Sequence, residues 1–321
     1  MGYGTDGYLG ISKQDSYNTP TSAYHWMPFV SESITDAIET LMEETIRNRY
    51  DEPPLIEGLT TVEGDAAFEV NPIDSGLLWY GVTGQMSSTA LQSGYVYQHV
   101  FTPVQDRFDS NLALVPLCFH IYRSVDEAFE YMDGQFNSVE FILAAGALVK
   151  MNCNVICRTS SLRAAFTASY HSNPQAYAWH QASLSMAGAA ITDYEEVTVL
   201  INNTLSGVTL IDGTKTHSRI QRDGFREVRI SGSIDLPNLD EYDEFRSQSE
   251  RRVVVTLTGN EVRSGYYESF KIDIPKFRYE AFPVNIGGPG RITVGFAGRG
   301  IYDTSSLYSF EITIVNTLES Y

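Results

Sequence analysis

The segment Val62-Glu63-Gly64-Asp65-Ala66-Ala67-Phe68-Glu69-Val70 restricts the fold more than any other part of the chain. Successive side chains of a β-strand point to opposite faces. Val62, Gly64, Ala66, Phe68 and Val70 then share one face, while Glu63, Asp65, Ala67 and Glu69 share the other. Such a strand has one side for a core and one wet, acidic side. It belongs in a sheet that is covered on a single face. A second segment, Val228–Leu236, repeats the pattern, with Val228, Ile230, Gly232, Ile234 and Leu236 inward and Arg229, Ser231, Ser233 and Asp235 outward. The two segments align on Val62-x-Gly64 and Ile230-x-Gly232, and an Asn/Pro pair follows each, Asn71-Pro72 and Pro237-Asn238.

The neighbouring sequence corresponds too. Ser33-Ile34-Thr35-Asp36 parallels Ala190-Ile191-Thr192-Asp193, and each leads through a Glu-containing alternating stretch, Glu39–Ile46 and Glu195–Ile201. Leu77–Gly84, which reads as a short helix, stands where Val253–Gly259 reads as a strand. Apolar strands are expected at Phe136–Leu143 and Leu148–Cys157 around a turn at Gly146. Others are expected at Phe270–Phe277 and Ile292–Ala297 around Gly287–Gly290, since glycine supplies the backbone angles of tight turns. Matching features in the same order imply an internal duplication, with domains at 1–165 and 166–321 and a joint within Ser160–Ala189. Gly2–Pro20, rich in Gly, Tyr, Ser and Thr, reads as an extended arm, and Leu236–Glu250 as a long acidic loop.

Composition agrees with strands. Tyr (20) and Phe (16) are abundant beside many Val, Ile and Thr, and these residues favour pleated, half-buried surfaces. The 40 acidic and 22 basic residues leave a formal charge of −18. A module that wraps nucleic acid needs the opposite sign to displace counterions from phosphates, so that class is excluded. The acidity is also lopsided: residues 1–160 hold 21 acidic and 7 basic side chains, residues 161–321 hold 19 and 15. One acidic surface is therefore expected, rather than a generally soluble exterior. No apolar run is long enough to span a membrane, and no charged-then-apolar leader opens the chain.

Chemistry is hard to find. Cys118, Cys153 and Cys157 are expected to be reduced thiols. Cys118 with His120 and Cys153 with Cys157 lie on shared strand faces, but their spacing fits no zinc signature, and no metal is expected. Gly298-x-Gly300 lacks the ending of a phosphate-binding loop, and no Gly-x-Ser-x-Gly elbow is present. His25, His99, His171, His180 and His217 are scattered singly. No catalytic residue, cofactor or metal is expected.

The run Gly7-Tyr8-Leu9-Gly10-Ile11 with Tyr17, the Glu32-Ser33-Ile34 segment, Gly64–Val70 followed by Gly76-Leu77-Leu78, Ile274-Pro275-Lys276, Ile292–Phe296 and Phe310–Asn316 resemble bacteriophage tail tube proteins, in pattern and order over nearly the whole chain. The resemblance implies a mainly β fold of two tandem tail-tube-type β-sandwich or barrel domains, each with a short helix and a long loop. It implies a structural virion protein of a siphophage-type tail, not an enzyme. Copies of it would join into rings that stack into a hollow conduit for DNA ejection into the bacterial host. A duplicated chain would need three subunits for a pseudo-sixfold ring. Glu63, Asp65 and Glu69, with Asp235 from the second half, are the candidate acids of the lumen wall, past which DNA slides without specific binding. The implied partners are other copies of the chain and the tail terminator, tape measure and baseplate proteins. Folding and assembly would take place in the host cytoplasm. Another virion β-protein (terminator, baseplate or capsid decoration) and a carbohydrate-binding β-sandwich are the competing readings.

Overall fold

The computed structural model describes residues 2–17, 19, 23–105, 114–171, 174–286 and 288–321. In chain order these give β1 (Tyr8–Lys13), β2 (His25–Met27), β3 (Ser31–Glu32), β4 (Thr35–Met42), β5 (Leu55–Glu69), α1 (Ser75–Thr83), β6 (Gly84–Gln92), β7 (Val96–Pro103), β8 (Leu117–Tyr122), β9 (Ala128–Ala144), β10 (Lys150–Cys157) and β11 (Thr159–Arg163). There follow β12 (Ala182–Met186), β13 (Ala189–Ile191), β14 (Tyr194–Asn202), β15 (Leu205–Val208), β16 (Arg219–Arg222), β17 (Glu227–Asp235), α2 (Asp240–Ser247), β18 (Arg251–Arg263), β19 (Tyr266–Ala281), β20 (Thr293–Gly300) and β21 (Glu311–Asn316). The fold is mainly β, built of large antiparallel sheets.

One layer runs in the spatial order β4–β5–β10–β9–β14–β17–β20–β19. Two further groups of strands cover it, β2–β1–β8–β9–β11 and β13–β12–β18–β19–β21–β7–β6. β9 and β19 are long enough to belong to both layers. The first half of β9 lies between β8 and β11, and its second half joins β10 and β14. β19 likewise begins between β18 and β21 and ends against β20.

A common core fills the space between the layers. Phe141 of β9 stacks on Phe270 of β19 at 5.4 Å between ring centroids, and Trp79 of α1 lies 5.8 Å from the same Phe270. These rings are fully buried, as aromatic pairs at such separations favour. β5 alternates as expected: Val62, Ala66, Phe68 and the adjoining Val70 are buried, while Glu63, Asp65 and Glu69 are exposed. Gly64 and Gly232 occupy matching sites where a neighbouring backbone crosses closely. A Cβ on Gly64 would meet Ser33 O at 2.5 Å, and one on Gly232 would meet Glu196 O at 2.0 Å.

Two expectations need correction. Residues 8–13 are not an arm but a strand, β1, buried between β2 and β8 with Leu9 and Ile11 fully covered. Leu236–Glu250 is not simply a loop. Asp240, Glu241 and Asp243 sit in the first turn of α2 and Arg246 in its last, so the charges complement the helix dipole, while Tyr242 and Phe245 pack on Phe282. Leu77–Gly84 falls in and just after the helix α1, and Val253–Gly259 lies in the strand β18, each as expected.

Candidate functional site

The wet face of the eight-stranded layer is mostly polar, with Ile142 and Leu200 among its residues and Ile156 buried against Leu205 and Ile220 of the β15–β16 hairpin. β5 contributes Glu63, Asp65, Ala67 and Glu69, opposed on β10 by Ile156, Asn154, Asn152 and Lys150. Next come Ser138, Glu140 and Ile142 of β9, then Thr198, Leu200 and Asn202 of β14. Asn154 Nδ2 donates to Asp65 Oδ1 at 2.8 Å, and Asn152 Nδ2 to Glu140 Oε2 at 3.3 Å. The neutral amides fix these carboxylates without neutralising them. Among the described residues none of Glu63, Asp65 and Glu69 is in an ion pair.

The far end of the same face is charged differently. Arg229 Nε lies 3.2 Å from Glu227 Oε2, and Arg299 Nε lies 3.0 Å from Glu280 Oε1. Asp235 Oδ2 is 3.5 Å from Arg291 Nη1, and Nη2 of the same guanidinium pairs with Glu195. Asp235 thus shares the wet face of its strand but not the unpaired state of the β5 acids. No local pattern marks this pairing, because Arg291 lies on a different segment.

The two ends of this layer are open in different ways. β4 pairs only with β5, and all eight of its residues are exposed. Ile38 opposes Thr60 on β5 as Ile201 opposes Val228 on β17, so the two isoleucines hold matching positions. Ile201 is fully buried, yet Ile38 is 57% exposed, and Leu41 and Ile56 beside it are about half exposed. At the opposite end, β18 leaves the side of β19 at Arg251, opposite Phe277. Beyond that point no described strand pairs with that edge of β19. On β9 the matching edge, beyond β8, is filled by β14 over Ser138–Ala144.

The histidines and thiols fall elsewhere. Cys118, Cys153 and Cys157 are buried free thiols, and burial pushes Cys118 up to about 12 and raises the other two. His120 is fully buried among Tyr8, Tyr24, Trp26 and Phe166, and neither ring nitrogen has a hydrogen-bond partner among the described residues. Burial lowers its pKa to about 4 from 6.5, with Glu130 opposing and Arg163 assisting. His99 bonds Ser88, Asn316 and the Leu318 carbonyl. His25 and His171, far apart in sequence, do meet, on Asp74.

The His120 environment predicts a pH dependence. Between about pH 4 and 6.5 the unfolded chain takes up a proton that the folded chain refuses. Stability present above pH 6.5 is therefore lost as pH falls, by roughly 2–3 kcal/mol. His120→Leu should remove that portion of the loss, and urea midpoints compared at pH 7 and pH 5 would show it.

The chain is thus mainly β, with one largely polar sheet face, two open sheet edges and apolar side chains along one of them. The profile of the phage tail tube protein family matches residues 4–319, and the chain belongs to that family. Its members are structural proteins of the virion tail that assemble into a tube; it is not an enzyme family. This membership sets aside the terminator, baseplate, decoration and carbohydrate-binding readings. No match was found among curated proteins. No helix among the described residues is long and apolar enough to cross a membrane.

Proposed function

We propose that three copies of this chain close into a ring, that rings stack into the tail tube, and that the polar face of the eight-stranded layer lines its lumen as a passive conduit for DNA. The observation that carries this reading is the β9–β14 joint inside the chain. The run β4–β5–β10–β9 is followed by β14–β17–β20–β19, with helices α1 and α2 after β5 and β17. Pairings in the covering sheets match likewise: β1 with β8 and β12 with β18, β2 with β1 and β13 with β12. This supports two domains, at 1–165 and 166–321, that arose by duplication. The β6–β7 and β15–β16 hairpins are then additions to one copy each.

In such a chain the internal joint is the template for the external one. β4 of one subunit adds to the free edge of β19 of the next, as β14 adds to β9. Ile38 is covered there as Ile201 is covered within the chain. Closure consumes both open edges, which otherwise invite uncontrolled pairing. Three subunits supply eight strands each. With strands about 4.8 Å apart, the barrel is roughly 37 Å across between backbones and wider when the strands tilt, leaving passage for a duplex.

The covering sheets take the outside, so Glu63, Asp65 and Glu69 face the lumen, with the paired Asp235 a weaker contributor. Carboxylates repel phosphates, and screening within about 8 Å at physiological salt means that they act only from the wall itself. Folding in the host cytoplasm and contacts with terminator, tape measure and baseplate proteins complete the proposed role, which includes no catalysis. Glu63→Lys with Asp65→Lys, both at exposed sites, should leave assembly intact and slow DNA ejection from virions carrying the variant. Ejection at the wild-type rate would remove the lumen assignment.

A further inference from the structure

We propose that His25, Asp74 and His171 form a binding site for one zinc-class divalent cation, independent of the ring and of the lumen. The three ligand atoms lie within 4.8 Å of one another. His25 Nε2 is 2.8 Å and His171 Nδ1 3.3 Å from the same oxygen, Asp74 Oδ1, and the two imidazoles sit 4.6 Å apart between centroids. A tetrahedral ion with bonds of about 2.0–2.1 Å spaces its ligands by about 3.3–3.5 Å, so small shifts seat the metal between them.

The ligands come from rigid and separate pieces of the fold. His25 is on β2, paired with β1, and Asp74 precedes α1 at 1% exposure. Asn71 Nδ2 donates to Asp74 Oδ2 at 3.1 Å, while Asn71 Oδ1 accepts from the Ile73 and Asp74 amides. One carboxylate oxygen is thereby held away and the other presented to the imidazoles, the outer-shell support that metal-ligating groups need. His171 belongs to the segment after β11, and Tyr170 beside it bridges to Trp26.

Access exists. His171 and Ile73 line a cavity of about 350 Å3 that is open to solvent, which supplies the fourth ligand as water and a route for the ion. Two nitrogens and one carboxylate suit zinc and its transition-metal neighbours, whereas magnesium and calcium prefer oxygen. The bound ion would staple this segment to β2 and α1, and so join the two halves of the chain at a point the sheets do not.

The test uses the full chain stripped with EDTA and dialysed. Titration with Zn2+ should give one ion per chain and raise Tm by about 5 °C at saturating metal. Mg2+ at equal concentration should do neither. Co2+ should give the intense visible absorption of a tetrahedral site in the wild-type protein. His171→Ala, at a partly exposed position, should weaken Zn2+ binding at least tenfold. Absence of stoichiometric Zn2+ binding and of the Co2+ band would overturn the proposal, as would unchanged affinity in folded His171→Ala. In the first case the cluster is a hydrogen-bonded triad only.

Discussion

Ile38→Asp subunits are expected to fold normally and to remain monomers at concentrations where the wild-type chain forms tubes. In the free chain Ile38 is 57% exposed, so a carboxylate there loses little hydration. At the proposed junction the same position is covered like Ile201, which is fully buried. An unpaired charge held there would weaken each junction by about 3–4 kcal/mol, or 10²–10³ in association. The proposed ring contains the junction three times, so the loss compounds. Sedimentation velocity and negative-stain images report the outcome, with Ile38→Val as the tolerated control. Tubes of normal length from Ile38→Asp would mean that β4 does not lie in the junction.

The second large effect is expected at Asn203, just past the end of β14. Its Nδ2 donates to the carbonyls of Val82 in α1 and Phe136 in β9, at 3.0 and 3.1 Å. Its Oδ1 accepts from Arg226 Nε at 3.0 Å and Arg222 Nη2 at 3.2 Å. Both guanidiniums are held below their usual pKa by burial, Arg226 further by Arg222, so each depends on the acceptors it has. Asn203→Ala leaves two carbonyls and two cations short of a partner at a fully buried site. Each such orphan costs about 1–3 kcal/mol, and a total near 4 kcal/mol lowers Tm by roughly 6 °C in a chain of this size. The variant also cuts a tie between α1, β9 and β14, and differential scanning calorimetry would detect it. A Tm within about 1.5 °C of wild type, the shift of about 1 kcal/mol, would show that these groups find other partners.

Strands were legible wherever one face is apolar and the other wet. β5, β9, β10, β17, β19 and β20 all fall where alternation and glycine turns put them. β1 was hidden because both of its faces are buried and its neighbours are small and polar, so neither alternation nor a hydrophobic run marks it. α2 was hidden because it is short and acidic, and its apolar contact with the core is a single pair, Tyr242 and Phe245, too little to mark a helical period. The wet-face acids Glu63, Asp65 and Glu69 were legible from period two alone. The neutralisation of Asp235 by Arg291 and the meeting of His25 with His171 were not, because both depend on chain crossings that no local pattern encodes. Asn203 passed as the middle of an unremarkable Asn-Asn-Thr run, although it bonds four partners in the fold. The β9–β14 joint, on which the ring rests, is a register between distant strands and appears only in three dimensions.

A cryo-electron microscopy reconstruction of tubes assembled from the purified chain tests the central claim most directly. Three subunits per ring are predicted, with β4 of one hydrogen-bonded to the end of β19 of the next and the Glu63, Asp65 and Glu69 carboxylates on the lumen wall. Six subunits per ring, or those carboxylates on the outer surface of the tube, would contradict the account.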